Sequence, residues 1–185
     1  MSGNSAKTGG RKALFLDRDG TLMIDKVYLS DPAGVELFPG VTEGLRKALE
    51  DGWLLFLFTN QSGIGRGYYT EADALRVNQR LVELIGLGEA LFTETCIAPE
   101  APDQPMVYRK PSPRFIEEMV LKHGLDKTRC VMVGDSAADV GSGLAAGIRA
   151  VALRTGKVDP FSQEIVTKYR IPVYEDFAAY AAAEL

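Results

Sequence analysis

The amino-acid sequence predicts an α/β protein, a Rossmann-like doubly wound parallel sheet with helices on both faces. Two observations lead to this fold class. Short apolar runs alternate with amphipathic helical segments along nearly the whole chain, and such alternation is typical of parallel strands joined by crossover helices. The longest run, WLLFLFT at residues 53–59, is apolar without alternation, which indicates a strand covered on both of its faces.

Six apolar runs are candidates for the strands of this sheet. Each is short and is bounded by charged or turn-forming residues, as expected for buried strands. Phe92–Ile97 is a weaker strand candidate, and Ile171–Tyr174 is expected at an edge of the sheet. The remaining four are Ala13–Leu16, Trp53–Thr59, Cys130–Val133 and Ala150–Leu153.

Helical segments separate these runs, and their ends carry residues that cap helices. Thr70 is a typical N-cap before an acidic first turn, and Ser112-Pro113 combines a cap with proline at the first helical position. Gly52 and Gly124 suit the left-handed conformation that ends a helix. The segments are Val41–Asp51, Thr70 to about Ile85, Ser112 to Gly124, Ala137–Ala146 and Phe177–Ala183. In the first two, the inward-facing positions are Val41, Leu45, Ala48, Leu49, Val77, Leu81, Leu84 and Ile85.

Length and composition narrow the class of protein. A chain of 185 residues suits one domain at about 150 residues per domain, and we expect a flexible tail over residues 1–11 and a single domain over 12–185. The net charge of −4 argues against a nucleic-acid partner, which requires a surplus of Lys and Arg. No long exposed apolar helix or heptad pattern demands a protein partner, so a monomer is expected.

The sequence also predicts where the protein resides. Cys96 and Cys130 both lie in apolar runs, which favours buried free thiols in the reducing cytoplasm. The first dozen residues lack the apolar core of a signal peptide. No apolar run approaches the roughly 20 residues that a membrane-spanning helix needs. We therefore expect a cytoplasmic protein without membrane contact.

Polar residues follow the predicted strands at the points where they end. In such a sheet the carboxyl ends of the strands meet at one edge, where ligands bind. Carboxylates crowded there repel each other unless a cation lies between them, so the pattern indicates a divalent metal. The segments are Asp17-Arg-Asp-Gly-Thr21, Thr59-Asn-Gln-Ser-Gly63, Gly134-Asp-Ser-Ala-Ala-Asp139 and, before the third helix, Arg109-Lys-Pro111.

The spacing of these residues favours phosphoryl transfer to a carboxylate. Asp17 and Asp19 point to the same side of an extended chain, so one can attack while the other handles a proton. Oxygen ligands with few carboxylates suit Mg²⁺. A phosphate dianion repels a carboxylate nucleophile, so positive charge is needed around the transferring group; Mg²⁺ and Lys110 would supply it, and Thr59 would donate a hydrogen bond.

These residues also form the four motifs of a known family. Asp17-x-Asp19-Gly20-Thr21, Thr59-Asn60, Lys110-Pro111 and Gly134-Asp135…Asp139 occur in that order, and the chain from about Lys12 to Lys157 resembles the haloacid dehalogenase (HAD) superfamily of phosphatases. The resemblance implies that Asp17 is the nucleophile, that Asp19 is the general acid and base, and that Thr59 and Lys110 hold the phosphoryl oxygens. It also implies Mg²⁺ on the Asp17 carboxylate, the Asp19 carbonyl and Asp135, with Asp139 in support through a water or by orienting Lys110.

Finer detail resembles one subfamily, the D-glycero-D-manno-heptose 1,7-bisphosphate 7-phosphatases, and the related histidinol-phosphate phosphatases. The segments that carry this likeness are Asp17–Thr21 with Arg18, Thr59–Gly67, Arg109–Pro111 and Arg154–Lys157. The resemblance implies a small sugar phosphate as substrate, with heptose bisphosphate first and histidinol phosphate or another sugar phosphate as alternatives. It also implies no large cap domain. The implied substrate contacts are Asp25, Tyr28, Asn60, Gln61 and Ser62 for the sugar, and Arg66 and Arg109 for the second phosphate.

One departure from the subfamily concerns a zinc loop that precedes Arg-Lys-Pro in those relatives. Structural zinc takes four ligands, and only one of the four equivalent positions here is a cysteine, so no structural zinc is expected. The loop 98–108 must then be ordered by its three prolines and by packing, or move. The four positions are Cys96, Ala98, Met106 and Tyr108.

Three isolated residues or segments have plainer interpretations. His123, next to Gly124, is expected to cap a helix end or to face solvent. Trp53 is expected to pack at the start of its strand. Arg154–Lys157 lacks the spacing of a nucleotide-binding loop and is expected to be a strand-exit turn.

Two other classes of protein remain as alternatives. A signalling receiver domain is also doubly wound and is phosphorylated on an aspartate beside Mg²⁺ and a lysine. Its phosphoacceptor would end a middle strand, where this chain has Thr59-Asn60, which disfavours that class. A catalytically inactive binding relative is disfavoured by the complete set of motif residues.

Overall fold

The structure is a computed structural model that describes residues 10–185. The predicted tail lies outside these residues for positions 1–9, and Arg11 already belongs to the first strand. The strands are β1 Arg11–Leu16, β2 Leu54–Asn60, β3 Glu94–Ala98, β4 Leu125–Gly134, β5 Arg149–Leu153 and β6 Val173–Tyr174. The helices are α1 Val41–Glu50, α2 Ser62–Gly65, α3 Glu71–Ile85, α4 Arg114–His123, α5 Ala137–Ala146, α6 Glu164–Lys168 and α7 Phe177–Glu184.

The strands form one parallel sheet in the order β3-β2-β1-β4-β5-β6. This confirms the predicted doubly wound α/β class, and the sixth strand lies at an edge as expected. The chain leaves β1 toward β2 and β3, then returns to the other side of β1 for β4. The carboxyl ends of β1 and β4 therefore flank the point where the strand order reverses, which is where ligands bind in such sheets.

The side chains of each central strand alternate between two apolar layers. Leu14 and Leu16 pack with α1, α3 and α7 on one face, whereas Ala13 and Phe15 pack with α4 on the other. Phe15 stacks on Phe56 at 4.9 Å between ring centroids. Burial on both faces explains why these strands are apolar without alternation.

Local sequence signals fix the start of α3 and the end of α4 as predicted, but the predicted start of α4 is wrong: Pro113, not Ser112, lies at its N-cap position, without a side-chain cap, and the helix begins at Arg114. Thr70 and Asp73 form a reciprocal capping box at the start of α3, and Gly124 ends α4 in the left-handed conformation. The short helices α2 and α6 were not predicted, because each has too few residues to show an amphipathic period. Two predicted inward positions are wrong: Leu49 and Leu84 are both exposed, since each lies at the margin of its helix's apolar face.

The described residues contain no large cap domain. Between β1 and α1 lie a flap with one short 3₁₀ turn, Pro32–Gly34, and two isolated bridges that tie Met23 to Asp19 and to Leu37. Between residues 10 and 185, no helix has the length and apolar character needed to cross a bilayer.

Close packing between α1 and α7 gives the first testable prediction. A Cβ at Gly44 would lie 2.9 Å from the Ala181 Cβ and 2.9 Å from the Phe177 ring, and both of those side chains are buried. We expect Gly44→Val to lower the free energy of unfolding by about 2 kcal/mol, measured by urea denaturation. Arg46→Val, at an exposed position of the same helix, should change it by no more than about 0.5 kcal/mol. Equal losses at both positions would contradict this packing argument.

Candidate active site

Three residues of the predicted motifs, Asp17, Lys110 and Asp139, meet where the central strands end. Asp17 follows β1 and is fixed to β4 by a hydrogen bond from its backbone N to the Val133 carbonyl at 3.0 Å. The Nζ of Lys110, from the segment before α4, lies 2.6 Å from Asp17 Oδ1, 2.6 Å from Asp139 Oδ1 and 2.7 Å from the Phe58 carbonyl. The lysine is 2% exposed, so three oxygens compensate the buried ammonium.

Asp139 supports Lys110 from the first turn of α5. One of its carboxylate oxygens binds the lysine, and the other accepts hydrogen bonds from the backbone N and Oγ of Ser136 at 2.9 and 2.6 Å. Ser136 in turn caps α5 in a capping box. Of the two roles that the sequence left open for Asp139, the structure favours orientation of Lys110. Burial alone would lower the pKa of Lys110, but Asp139 and Asp17 together raise it above its ordinary value, so the ammonium stays charged.

The carboxylates at this edge fit a divalent cation. Carboxylate oxygens of Asp17, Asp135 and Asp139 lie within 4.8 Å of one another. Burial, with the neighbouring acids, raises the pKa of Asp17 to about 7 and that of Asp135 to about 8. A bound cation would reverse this penalty on the charged forms. Because Lys110 and Ser136 already occupy the oxygens of Asp139, Asp17 and Asp135 are the carboxylates left for a metal.

Asp19 is held by two neighbours through a single oxygen. Its Oδ2 accepts hydrogen bonds from Arg18 Nε at 3.0 Å and from Gln61 Nε2 at 3.0 Å. Arg18 is fully buried and also donates to Asn78 Oδ1 on α3 at 2.9 Å. Among the described residues, Asp19 Oδ1 has no such partner and is therefore the oxygen available to a bound molecule.

The side chains of Gln61 and Asn60 make hydrogen bonds within the protein that the sequence did not predict. Gln61 is 3% exposed and bonds Asp19, Thr59 Oγ1 at 2.8 Å and the Tyr69 hydroxyl at 2.7 Å, so its amide is occupied within the protein. Asn60 Oδ1 accepts a hydrogen bond from the Lys110 backbone N at 2.8 Å, and Asn60 Nδ2 donates one to the Lys110 carbonyl at 3.2 Å. In the structure their side chains position Asp19, Thr59 and Lys110, and their contact with substrate stays a prediction.

A pocket of about 200 Å³ opens beside Asp19. Tyr28 and Val27 form its exposed flap, both with left-handed backbone conformations, φ 52° and 53°, and the Tyr28 ring packs edge-on against Tyr68. The wall includes Lys157, whose sequence context indicated only a turn. The lining residues are Arg18, Asp19, Asp25, Val27, Tyr28, Leu29, Asn60, Gln61, Ser62, Tyr69 and Lys157.

Two predicted substrate contacts lie outside this pocket. Arg66 is an exposed residue at the end of α2, and Arg109 is half-buried, with its Nε lacking a hydrogen-bond partner among the described residues. Their contact with substrate stays a prediction. A larger cavity of about 580 Å³ lies between α3 and the β3 edge, and none of the predicted site residues lines it.

A carboxylate within the loop 98–108 helps to order it. Glu100 Oε1 accepts hydrogen bonds from the backbone N of Val107 at 3.1 Å and of Tyr108 at 2.7 Å, which closes the loop on itself. The Tyr108 hydroxyl bonds Glu118 on α4 at 3.0 Å. Burial raises the pKa of the Cys96 thiol to about 12.

His123 is not the helix cap or solvent-facing residue that the sequence indicated. Its Nε2 lies 2.6 Å from Glu94 Oε1, and its ring packs 5.3 Å from the Phe56 ring. These contacts are remote in sequence, which is why the local pattern missed them. Trp53 packs against the core as predicted, with Lys12 Nζ 4.7 Å from its ring centroid.

Comparisons with known proteins agree with this fold. The HAD-hydrolase-like family model matches residues 107–178. A D-glycero-β-D-manno-heptose-1,7-bisphosphate 7-phosphatase from Mesorhizobium japonicum is 40% identical over 146 residues, 74% of this chain and 66% of the relative, so the chain spans just under two thirds of that relative. The protein of the same name from Helicobacter pylori is 38% identical over 145 residues, 75% of this chain and 80% of the relative.

A solved structure shares the whole fold. The D,D-heptose 1,7-bisphosphate phosphatase from B. bronchiseptica, complexed with magnesium and phosphate, matches with a TM-score of 0.81 and 24% identity over 93% of this chain and 97% of its own. A parallel sheet with Asp-x-Asp after its first strand, joined by a buried lysine and two further aspartates, defines a phosphatase of the HAD class. The chain belongs to the family of the D-glycero-D-manno-heptose-1,7-bisphosphate 7-phosphatases, since the identity with its Helicobacter pylori member extends over 80% of that member's length.

The Glu100 contacts give a prediction about the loop. Glu100→Ala removes the acceptor of two backbone N–H groups, so hydrogen exchange at the amides of Val107 and Tyr108 should become about tenfold faster or more. Glu100→Gln keeps an acceptor oxygen and should retain most of the protection. Asp103→Ala, at an exposed position of the same loop, is the control. Unchanged exchange in Glu100→Ala would show that prolines and packing order the loop alone.

Proposed function

We propose that this phosphatase removes the 7-phosphate of D-glycero-D-manno-heptose 1,7-bisphosphate through an aspartyl-phosphate on Asp17. The observation that carries the reaction type is the position of the Lys110 ammonium, 2.6 Å from the Asp17 carboxylate at the end of β1. The substrate rests on the names of the relatives, which share 38–40% identity with this chain. The open pocket beside Asp19 supports a small polar substrate.

In the first step a carboxylate oxygen of Asp17 attacks phosphorus, and the bond from phosphorus to the sugar oxygen breaks. Lys110 neutralises charge on the carboxylate and on the phosphoryl oxygens, which lets two anions approach. Thr59 is 1% exposed, and its Oγ1 already accepts a hydrogen bond from Gln61. The hydroxyl proton of Thr59 is therefore directed away from the Gln61 donor and is free to bond a phosphoryl oxygen.

Asp19 would transfer the proton in both steps. It protonates the leaving alkoxide as the ester bond breaks, then removes a proton from the water that attacks the aspartyl-phosphate. That second step releases inorganic phosphate and regenerates the Asp17 carboxylate. Arg18 and Gln61 both bond Oδ2 of Asp19, so the carboxyl group is fixed with Oδ1 toward the reacting groups.

Mg²⁺ is the cation that we propose for this site. Asp17 and Asp135 would hold it with oxygen ligands, the type that Mg²⁺ prefers. When bound, it would supply positive charge to the phosphoryl oxygens. The raised pKa values of both carboxyl groups are the expected property of acids gathered for a cation.

Steady-state phosphate release against a panel of substrates tests the function. The panel holds both anomers of heptose 1,7-bisphosphate, histidinol phosphate and simple sugar phosphates, each with Mg²⁺ and with EDTA. With Mg²⁺ we expect a kcat/KM for heptose bisphosphate of about 10⁴ M⁻¹s⁻¹ or more, well above the values for the other substrates. In EDTA we expect no phosphate release. Flat, weak activity across the panel would reject the substrate and keep the chemistry, and a preference for histidinol phosphate would select that alternative.

The nucleophile assignment gives a second prediction. Asp17→Asn keeps the shape of the side chain but cannot form the acyl phosphate, so kcat should fall more than about a thousandfold while the circular dichroism spectrum is unchanged. Asp51→Asn, at an exposed aspartate after α1, is the matched control and should retain full activity. Residual turnover by Asp17→Asn above about a tenth of wild type would exclude Asp17 as nucleophile.

A further inference from the structure

The segment Thr155–Lys157 is fixed against the active site. The Thr155 hydroxyl donates a hydrogen bond to the Gly20 carbonyl. Gly156 lies so close to Asp135 that a Cβ there would be 2.7 Å from the Asp135 carbonyl oxygen and 2.7 Å from its carboxylate. This contact excludes any side chain at position 156 and holds the following residue, Lys157, at the wall of the pocket beside Asp19.

Lys157 is the cation of this pocket that remains accessible. The other cationic lining residue, Arg18, is fully buried and directs its guanidinium to Asp19 and Asn78. Lys110 lies buried at the strand ends among three oxygens. The side chain of Lys157 is 54% exposed, and its Nζ lies 2.5 Å from Asp25 Oδ2.

We propose that Lys157 binds the phosphate of the substrate that is not transferred and so makes the enzyme prefer a bisphosphate to a monophosphate. This inference rests on the proposed function and adds to it a specificity-determining residue. A half-exposed ion pair such as Lys157–Asp25 is weak, so a phosphate dianion competes successfully with Asp25 for the ammonium.

The two carboxylate oxygens of Asp25 then have separate roles, which suit a substrate that carries hydroxyl groups as well as a phosphate. Its Oδ1 accepts the backbone N of Val27 at 2.8 Å and so shapes the flap. Its Oδ2 orients the Lys157 ammonium toward the pocket in the absence of substrate. Once phosphate takes the ammonium, Oδ2 is free to accept a sugar hydroxyl.

The test compares two substrates that differ only in the second phosphate, heptose 1,7-bisphosphate and heptose 7-phosphate. Lys157→Met should raise KM for the bisphosphate and lower its kcat/KM about tenfold, with kcat little changed. Its kcat/KM for the monophosphate should stay within about twofold of wild type. Lys157→Arg, which keeps the charge, should recover most of the loss.

Lys47→Met, at an exposed lysine of α1, makes the same change in net charge. It should leave kcat/KM unchanged for both substrates. Equal losses by Lys157→Met on both substrates, or none on the bisphosphate, would overturn the inference while leaving the proposed function intact. A wild-type enzyme that hydrolyses neither heptose substrate would instead overturn the proposed function, and the inference with it.

Discussion

The buried ammonium of Lys110 holds the catalytic edge of the sheet together, because it joins three separate parts of the chain. It bonds the Asp17 carboxylate after β1, the Phe58 carbonyl within β2 and the Asp139 carboxylate on α5. A charge this deeply buried is tolerated only when its partners are close and complete. The geometry that compensates the lysine therefore also aims Asp17 and fixes the first turn of α5.

A second network fixes Asp19 without touching the first. Arg18 and Gln61 hold one oxygen of Asp19, and each is anchored elsewhere, Arg18 on Asn78 of α3 and Gln61 on the Tyr69 hydroxyl. Asp17 and Asp19, the proposed nucleophile and proton-transfer group, are two residues apart in sequence and are thus positioned by different elements. Such independent support is what places reacting groups reproducibly.

Around these two networks, the site is bordered by a short flap and by the loop before Lys110. The flap contributes Tyr28 and the loop before Lys110 is closed by Glu100 through two backbone hydrogen bonds. That loop is held by ordinary hydrogen bonds to the Glu100 carboxylate. This open edge leaves the accessible Lys157, for which we propose a role in specificity, at the wall of the pocket.

The sequence by itself determined the sheet, its helices and the motif residues at the strand ends. The signals behind these predictions are local: apolar runs, capping residues such as Thr70, and the spacing of Asp17 and Asp19. Local signals can be recognised in the sequence before the fold is known. Only the tertiary structure decided which polar side chains of the motifs bond one another. The amides of Gln61 and Asn60, both predicted substrate contacts, bond residues up to 50 positions away. Lys157 reaches the pocket only because Gly156 packs on Asp135, a contact between distant residues that no sequence period encodes.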